Sequence, residues 1–210
     1  GFKSLYYPDR RIISILCELV KDDDKWVRVA ATESIATFAR DTDAVDLVAT
    51  GLTDASADSF SDVRYQAALG WRYMKEPGGG IDSVSPLVVL AKDTNVKVRK
   101  VAIQGLEEQV RFRFSPLSDR QKAYIVSVIM QNLSDSDNEV RLAALHTMGA
   151  LIDEGMVDDF TSVVNILMEM METKSLADTV VRVLTKMGEA AHPALERIMD
   201  MMWNTDNMDY

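Results

Sequence analysis

Apolar residues fall at helical spacing along this chain, in stretches that come in pairs. Val27, Ala31 and Ile35 share one face of a helix, because side chains three or four positions apart lie on the same side. An acidic turn, Asp22-Asp23-Asp24, separates this stripe from an earlier apolar stripe. A helix cannot bury its own apolar stripe and needs a partner to cover it. The pattern therefore predicts helical hairpins whose apolar faces pack together.

The same paired pattern continues down the chain and defines a predicted core. Hairpin by hairpin, the predicted core positions are Ile12, Ile13, Leu16, Leu19 and Val20 with Val27, Ala31, Ile35 and Phe38; Val45, Val48 and Leu52 with Val63, Ala67, Trp71 and Met74; Val84, Leu87, Val88 and Ala91 with Val98, Ala102, Leu106 and Val110; Ile125, Val128, Ile129 and Leu133 with Val140, Ala144, Met148 and Leu151; and Val163, Val164, Leu167 and Met171 in a fifth hairpin.

A short phrase marks each hairpin and shows that the chain repeats itself. Val-Arg pairs occur at Val27-Arg28, Val63-Arg64, Val98-Arg99 and Val140-Arg141, with a weaker copy at Val181-Arg182. The arginines are 36, 35, 42 and 41 residues apart, and an alanine follows each of the first four by three positions. Self-similarity at this period indicates a helical repeat array. We therefore expect an all-α solenoid of about five hairpins over residues 1–203, closed by a helix after Pro193, with a disordered tail at 204–210.

Composition restricts the class of protein. No run of about 18 uncharged apolar residues occurs, which argues against a membrane span. A single cysteine, Cys17, excludes an internal disulfide and suits a reducing compartment, so we expect an intracellular, cytoplasmic location. The net charge of −10 argues against broad nucleic-acid binding, which needs many bases. Residues 95–125 have the opposite charge balance, with seven bases against three acids.

The repeated phrase resembles the HEAT repeat family, especially its short form found in phycobilisome-lyase-type repeats. The turn aspartates, the Val-Arg pair and the alanine three positions later carry the resemblance. The family implies a right-handed α-solenoid in which turn acids cap the second helix of each hairpin. It also implies that each arginine reaches a turn acid of a neighbouring hairpin, with Asp24, Asp62 and Asp137 as candidates and Asp93 and Asn95 in the third hairpin. Functions in the family range from scaffolds to lyases, so the fold alone does not select one.

The sequence contains no recognisable catalytic or metal-binding set. The stretch from Asp135 to Glu139 looks like the start of a calcium loop, but it lacks the required glycine, and His146 stands where the bidentate glutamate belongs. The two histidines, His146 and His192, lack the following glutamates of a di-iron site, and one cysteine does not support zinc. We expect a protein without cofactor or metal that is not an enzyme.

A solenoid binds partners on the concave wall formed by its second helices. Positions five, nine and twelve residues after each repeat arginine should face outward there. The predicted partner-binding residues are Glu33, Thr37, Arg40, Leu69, Arg72, Tyr73, Gln104, Glu108, Arg111 and His146, and the same spacing also selects Ala150 and Asp153. Arg72 and Tyr73, beside Leu69, form the best candidate hot spot, because arginine and tyrosine dominate such sites. The alternative is that Tyr73 packs against a neighbouring helix.

Three functions remain open from the sequence. The first is a non-catalytic scaffold that binds a protein or peptide segment on the concave face. The second is nucleic-acid or phosphate binding through the basic zone 95–122, where Arg111-Phe112-Arg113-Phe114 mixes bases and aromatic rings. Lys97, Lys100, Arg111 and Arg113 are its candidate anion-binding residues. The third, implied by the resemblance alone, is a tetrapyrrole (bilin) lyase or isomerase subunit.

Overall fold

The fold is built from paired α-helices. A computed structural model describes residues 9–40, 43–74, 81–112 and 116–192. Within these ranges the chain forms ten α-helices and no strand. They are α1 (Arg10–Leu19), α2 (Lys25–Phe38), α3 (Val45–Ser56), α4 (Ser61–Tyr73), α5 (Val84–Leu90), α6 (Val96–Arg111), α7 (Asp119–Asn132), α8 (Asn138–Asp153), α9 (Phe160–Met170) and α10 (Ala177–Met187), and a 3₁₀ turn, Gly188–Ala191, follows. The all-helical repeat fold is confirmed.

The chain forms two compact units, Gly1–Val128 and Ile129–Tyr210, with the boundary inside α7. In the first unit, α1 packs on α2, α3 on α4 and α5 on α6, so each pair is a hairpin. The second helices α2, α4 and α6 are successive neighbours, and α1 and α3 also pack together. Three hairpins are therefore stacked in two layers, one of first helices and one of second helices. The single domain over 1–203 stays a prediction, and residues 204–210 lie outside the described residues.

The turn acids begin the second helices, as the resemblance implied. Asp24 accepts a hydrogen bond from the N–H of Trp26, and Asp137 accepts from those of Glu139 and Val140. Asn95 has the same role at the start of α6. These side chains satisfy N–H groups that have no partner within the helix and place negative charge at its positive end. The turn sequences therefore fix where α2, α6 and α8 start, whereas α4 and α10 begin after Phe60 and Leu176 without a side-chain cap, against the expectation.

The predicted stripes form most of the core. In α3–α8 almost every predicted core position is buried, including the large side chains Trp71, Leu87 and Leu106. Val27, Phe38, Val45, Val88 and Met171 are only partly buried. The alanine that follows each repeat arginine lies in the core at all four positions. Small residues there allow the paired helices to approach closely.

The first helix departs from the prediction. Ile13 and Val20 are buried, but Ile12 is 50% exposed and Leu19 is 37% exposed. Ile12 lies sixteen residues before its repeat arginine, and Val48 and Ile125, at the same repeat position, are fully buried. In α3 this side faces the preceding hairpin, since a Cβ at Gly51 would lie 3.0 Å from Cys17 Sγ. No described hairpin precedes α1, so its equivalent face is open.

In the second unit, α10 packs against both α8 and α9. Its Arg182 belongs to the weakest copy of the repeat phrase and donates a hydrogen bond to Thr179 Oγ1 at 3.2 Å. The position six residues before this arginine is Leu176, whereas the four stronger copies have an aspartate there. The fifth copy therefore lacks the turn aspartate of the others. The predicted closing helix after Pro193 lies outside the described residues.

Candidate functional site

The candidate site is a groove on the second-helix layer of the first unit. It encloses about 590 Å³ and is lined by α2, the turn before α6, and the outer faces of α4 and α6. Its lining residues are Val29, Asp62, Tyr65, Gln66, Leu69, Arg72, Asn95, Lys97, Lys100, Val101 and Gln104. The volume is in the range of protein binding pockets, which is about 300–1,000 Å³. We call this surface the second-helix groove.

In the first four hairpins, the repeat arginine connects the second helix to the turn before it. We call these hydrogen bonds the brace. Arg28 Nη1 donates to the carbonyl oxygens of Asp22 and Asp23 in its own turn, at 2.9 and 3.2 Å. Arg64, Arg99 and Arg141 donate to the equivalent two carbonyls of their own turns. Since the arginine lies on the fourth residue of each helix, these bonds hold the helix start in one orientation relative to the turn.

Two of these arginines also tie their hairpin to the next one. Arg28 donates from Nε to Asp58 Oδ2 at 2.7 Å and from Nη2 to Asp58 Oδ1 at 3.1 Å. Arg64 makes the same bidentate contact with Asp93. Paired bonds of this kind fix geometry as well as adding energy. The prediction that repeat arginines reach a turn acid of the neighbouring hairpin is therefore confirmed for these two.

The acids that accept these bonds are not all those predicted. Asp62 was a candidate acceptor, but Asp58 takes that role and Asp62 lines the second-helix groove. The sequence does contain the signal, because an aspartate stands six residues before each of the first four repeat arginines. Each of them also accepts from the backbone N–H two residues later, as Asp93 does from Asn95 at 2.8 Å. The aspartate six residues before each of these arginines is thus the structural acid of the repeat.

The braced carboxylates titrate below their ordinary range. Burial raises the pKa of Asp58 and of Asp93, but hydrogen bonds from Arg28 and Arg64, together with backbone N–H groups, lower each pKa by more. The pKa of the Arg64 guanidinium is raised by its hydrogen bond to Asp93. These groups are charged across the physiological range, so the brace is permanent and offers no titrating group for catalysis.

Three of the predicted partner-binding residues line the second-helix groove. They are Leu69, Arg72 and Gln104. Glu33 and Thr37 are exposed on α2, and the Thr37 hydroxyl donates to the carbonyl of Ser34. Among the residues that the sequence reading missed, Tyr65 and Gln66 lie one helical turn before Leu69. The signal for them was the helical period itself, since positions three and four residues before an outward residue share its face.

Arg72 connects two second helices across the groove. Its Nε donates to Glu108 Oε1 at 2.7 Å and its Nη1 donates to Gln104 Oε1 at 2.8 Å. Tyr73 lies beside it, with the Arg72 guanidinium 5.5 Å and the Arg40 guanidinium 5.0 Å from the ring centre. Both distances are within the range of cation–π attraction. The predicted hot-spot pair therefore forms part of an ordered cluster that links α4 with α6 and the end of α2.

The predicted anion-binding set is divided in space. Lys97 and Lys100 line the second-helix groove, whereas Arg111 pairs with Glu107 at 3.0 Å on the same helix. Arg113 lies outside the described residues. In the same basic zone, Arg120 donates to the hydroxyl of Tyr124 at 3.0 Å. The described bases of this zone therefore do not all converge on one surface.

In the second unit, the spacing from the repeat arginine does not correctly predict which residues of α8 are exposed. His146 is exposed on α8, but Ala150 is fully buried, against the prediction. α10 packs on α8 and places Lys186 and Val183 beside the neighbouring Gly149. Lys186 also donates to the carboxylate of Asp153. The second-helix face that the first unit exposes is therefore partly covered by a helix here.

Other candidate chemistry is limited. Burial raises the pKa of the Cys17 thiol, whose Sγ donates to the carbonyl of Leu47 at 3.3 Å, so it is a poor nucleophile at neutral pH. The described ranges hold no group of three or more His, Cys, Asp or Glu side chains placed to bind a metal ion. Among the described helices, none combines the length and apolarity needed to span a membrane.

Comparisons with known proteins agree with this architecture. The family model of the HEAT repeat matches residues 12–41 and 125–154. No curated protein matches the sequence. An engineered protein of known structure has a TM-score of 0.62 at 16% identity, over 90% of this chain and 86% of the other. The designed armadillo repeat protein YIII(Dq)4CqI has a TM-score of 0.58 at 14% identity, over 88% and 91%.

A second designed armadillo repeat protein was solved in complex with the peptide (KR)4. It has a TM-score of 0.58 at 15% identity and covers 88% of this chain and 90% of its own. At identities this low, the similarity establishes the helical-repeat fold and does not by itself transfer a ligand.

Proposed function

Because this chain is a helical-repeat protein that carries HEAT repeats at residues 12–41 and 125–154, we propose that it is a non-catalytic interaction module that binds a protein segment in the second-helix groove. The observation that carries the proposal is the groove itself, which three successive hairpins build from their outward-facing second-helix positions. Stacked repeats create extended surfaces of this kind, on which a peptide contacts one repeat after another.

The chemistry of the lining supports a peptide ligand. Gln66, Asn95 and Gln104 contribute amide groups, which can both donate and accept hydrogen bonds, and the oxygens of Asn95 and Gln104 already accept from the Lys97 N–H and from Arg72. An extended peptide exposes one N–H and one C=O per residue, so such side chains suit its backbone. Leu69 and Tyr65 add apolar surface for a side chain of the ligand. A structural neighbour of this chain binds the peptide (KR)4, which supports a peptide ligand for this type of repeat stack.

Selection of peptides on the immobilised protein tests this function. Random dodecapeptides displayed on phage would be selected against the whole chain, and the binders would be measured on two variants. Leu69→Glu places a charge in the groove, and we expect it to weaken the selected peptides by about tenfold or more, since it buries a charge beside the ligand. Val89→Glu is the matched control, because Val89 is exposed on the first-helix layer.

The two variants distinguish peptide binding on the second-helix layer from binding on the first-helix layer. The proposal holds if Leu69→Glu loses the peptides and Val89→Glu retains them. It is wrong if the selected peptides depend on Val89 and not on Leu69. Arg72→Ala combined with Tyr73→Ala tests the hot-spot pair separately, and unchanged affinity in that double variant would show that the cluster only supports the groove.

A further inference from the structure

The side of α1 that points away from α3 is apolar and open. Ile12, Ile15 and Leu19 lie on it at helical spacing and are 50%, 57% and 37% exposed. In α3 the residues at the same three repeat positions are all buried, and they are Val48, Gly51 and Ala55. End repeats of a solenoid need a polar outer side for solubility. The first hairpin instead has the outer side of an internal repeat.

The second helix of this hairpin is open on the same side. Val27 is only partly buried, whereas Val63, at the same repeat position, is fully buried. Ser34 is partly exposed, whereas Gly105, which also follows its repeat arginine by six residues, is buried. A Cβ at Gly105 would lie 3.2 Å from the Cβ of Arg72, so this position faces the preceding second helix at close range. The small Ser34 side chain leaves room for the same approach to α2.

A carboxylate without an arginine partner lies on this hairpin as well. Asp22 is the structural acid of the first hairpin and accepts from the N–H of Asp24 at 2.8 Å. The equivalent acids Asp58 and Asp93 each accept two further hydrogen bonds from the arginine of the preceding hairpin. Within the described ranges, no arginine donates to the carboxylate of Asp22. The first hairpin therefore has the acceptor half of an arginine–aspartate contact between hairpins.

We infer that this side of the first hairpin binds a further helical hairpin of the HEAT type, whose apolar side chains cover Ile12, Ile15 and Leu19 and whose repeat arginine donates to Asp22. We call these four residues and Ser34 the stacking face. It is a different surface from the second-helix groove, and the inference does not depend on the proposed function. A hairpin bound there would place its second helix beside α2, so the second-helix layer would be longer by one helix.

The stacking face favours a hairpin over other occupants. A single apolar helix could cover α1, but it would leave the α2 side and the Asp22 carboxylate unfilled. A second copy of this chain bound through the same face would bring apolar residues together. It would offer Asp22 no repeat arginine, because Arg28 already contacts Asp58 on the opposite side of the hairpin. A HEAT hairpin supplies both helices and the arginine at once.

Grafting a hairpin before α1 tests the inference. In the chimera, residues 45–80 replace residues 1–8, so the grafted copy of Arg64 precedes Asp22 by 30 residues, as Arg28 precedes Asp58. Circular dichroism should show the helix content of one more hairpin. The midpoint of urea unfolding should rise by about 0.5 M or more, because stacking adds an interface between repeats. A second chimera with residues 9–44 grafted instead has the same spacing and guards against a poor fit of one hairpin.

A double-mutant cycle in the chimera tests the charged contact. Asp22→Asn keeps an acceptor for the N–H of Asp24 and removes the charge, and Arg64→Ala is made in the grafted copy alone. Each change should lower the urea midpoint by about 0.5 M, and the two effects should not add, since both remove one contact. In the original chain, Asp22→Asn should move the midpoint by less than about 0.2 M.

A charge on α1 tests the apolar contact. Ile15→Glu should be tolerated in the original chain, because Ile15 is 57% exposed, and should remove the gain of the chimera, because it would bury a charge there. Val89→Glu is the matched control. Val89 is 67% exposed on the same layer of first helices, so this change should leave the gain in place.

Each outcome decides for or against the inference. It is supported if a chimera gains helix and stability and the gain depends on Ile15 and on coupling between the grafted arginine and Asp22. It is overturned if neither chimera gains, or if the two effects in the cycle simply add. A dimer of the original chain that Ile15→Glu dissociates, seen by sedimentation, would assign the face to a second copy. A loss of stability on removal of residues 1–8, reproduced by Ile15→Glu, would assign it to those residues, and either result also overturns the inference.

Discussion

Arg64 donates hydrogen bonds to both carboxylate oxygens of Asp93, from Nε at 2.6 Å and from Nη2 at 2.8 Å, although the two residues belong to consecutive hairpins. Its Nη1 also donates to the carbonyl oxygens of Asp58 and Ser59 in its own turn. One guanidinium group therefore ties two turns together. The two side chains are only 15% and 8% exposed, so water competes weakly for these bonds.

Arg64→Ala should destabilise the protein by about 2–4 kcal/mol, because it leaves the buried Asp93 carboxylate without its main partner. The midpoint of urea unfolding, followed by circular dichroism, measures the change. The control is Arg10→Ala. Arg10 makes an equally bidentate contact with Asp46, but those side chains are 54% and 63% exposed, so its loss should hardly move the midpoint. Equal effects of the two variants would contradict the assigned role of burial.

The stability due to Asp93 should depend on pH in a defined window. Its folded pKa lies below the ordinary value, which is about 3.9 in an unfolded chain, because hydrogen bonds to the charged form outweigh burial. The contribution is therefore complete above the unfolded pKa and is lost as the pH falls through the folded pKa.

The variant Asp93→Asn makes this measurable, since it mimics the protonated group. Between about pH 7 and 5 wild type should be more stable by a constant amount, and the difference should shrink below about pH 4. Urea titrations at a series of pH values give the two curves. A difference that widened toward acid would mean that the folded pKa is raised.

Two helical glycines should respond in opposite directions to alanine. At Gly70 in α4 a Cβ would lie 2.5 Å from Leu52 Cδ2 and 3.2 Å from its Cγ, so Gly70→Ala must displace a buried leucine and should cost about 1–3 kcal/mol. At Gly149 in α8 the nearest atom would be Lys186 Cδ at 3.6 Å, an ordinary contact. Gly149→Ala should therefore stabilise by up to about 1 kcal/mol through helix propensity. Thermal melts of both variants test the pair, and a stable Gly70→Ala would show that Leu52 can move aside.

Two isoleucines at the same repeat position should differ in their contribution to stability. Ile12 is 50% exposed and Ile125 is fully buried. We expect Ile125→Ala to cost about 2–5 kcal/mol, because it leaves a cavity, and Ile12→Ala less than about 1 kcal/mol. Urea unfolding of both variants gives the comparison. A large cost at Ile12 would mean that another part of the molecule covers α1 in solution.

Repetition is why so much of the fold could be predicted. Trp71, Leu106 and Met148 each fall seven residues after a repeat arginine. Because they occupy the same position of the repeat, they lie on the same helix face, and all three are buried. The turn acids Asp24 and Asp137 followed from the same register, because a helix start needs an acceptor for its free N–H groups. Local rules that agree with one another in several copies are strong predictors.

The errors fall where neighbours change from copy to copy. Ile12 and Ile125 occupy the same repeat position in the sequence, yet one is 50% exposed and the other is fully buried. Ala150 has an outward spacing and is nevertheless fully buried, on a helix against which α10 packs. The groove was only partly predicted for a related reason. Its shape depends on how α2, α4 and α6 lie side by side, which the period of a single helix does not determine.

The brace has a consequence for how such a chain can change its length. Arg28 contacts Asp58 as Arg64 contacts Asp93, with the same atoms and the same position six residues before the next arginine. If one complete period of 35 or 36 residues were removed, Arg28 would face Asp93 with donor and acceptor still matched. A partial deletion would leave both without a counterpart. The hairpins can therefore replace one another. A binding surface formed by their outer positions can be lengthened, shortened or recombined while the arginine–aspartate contacts between hairpins stay the same.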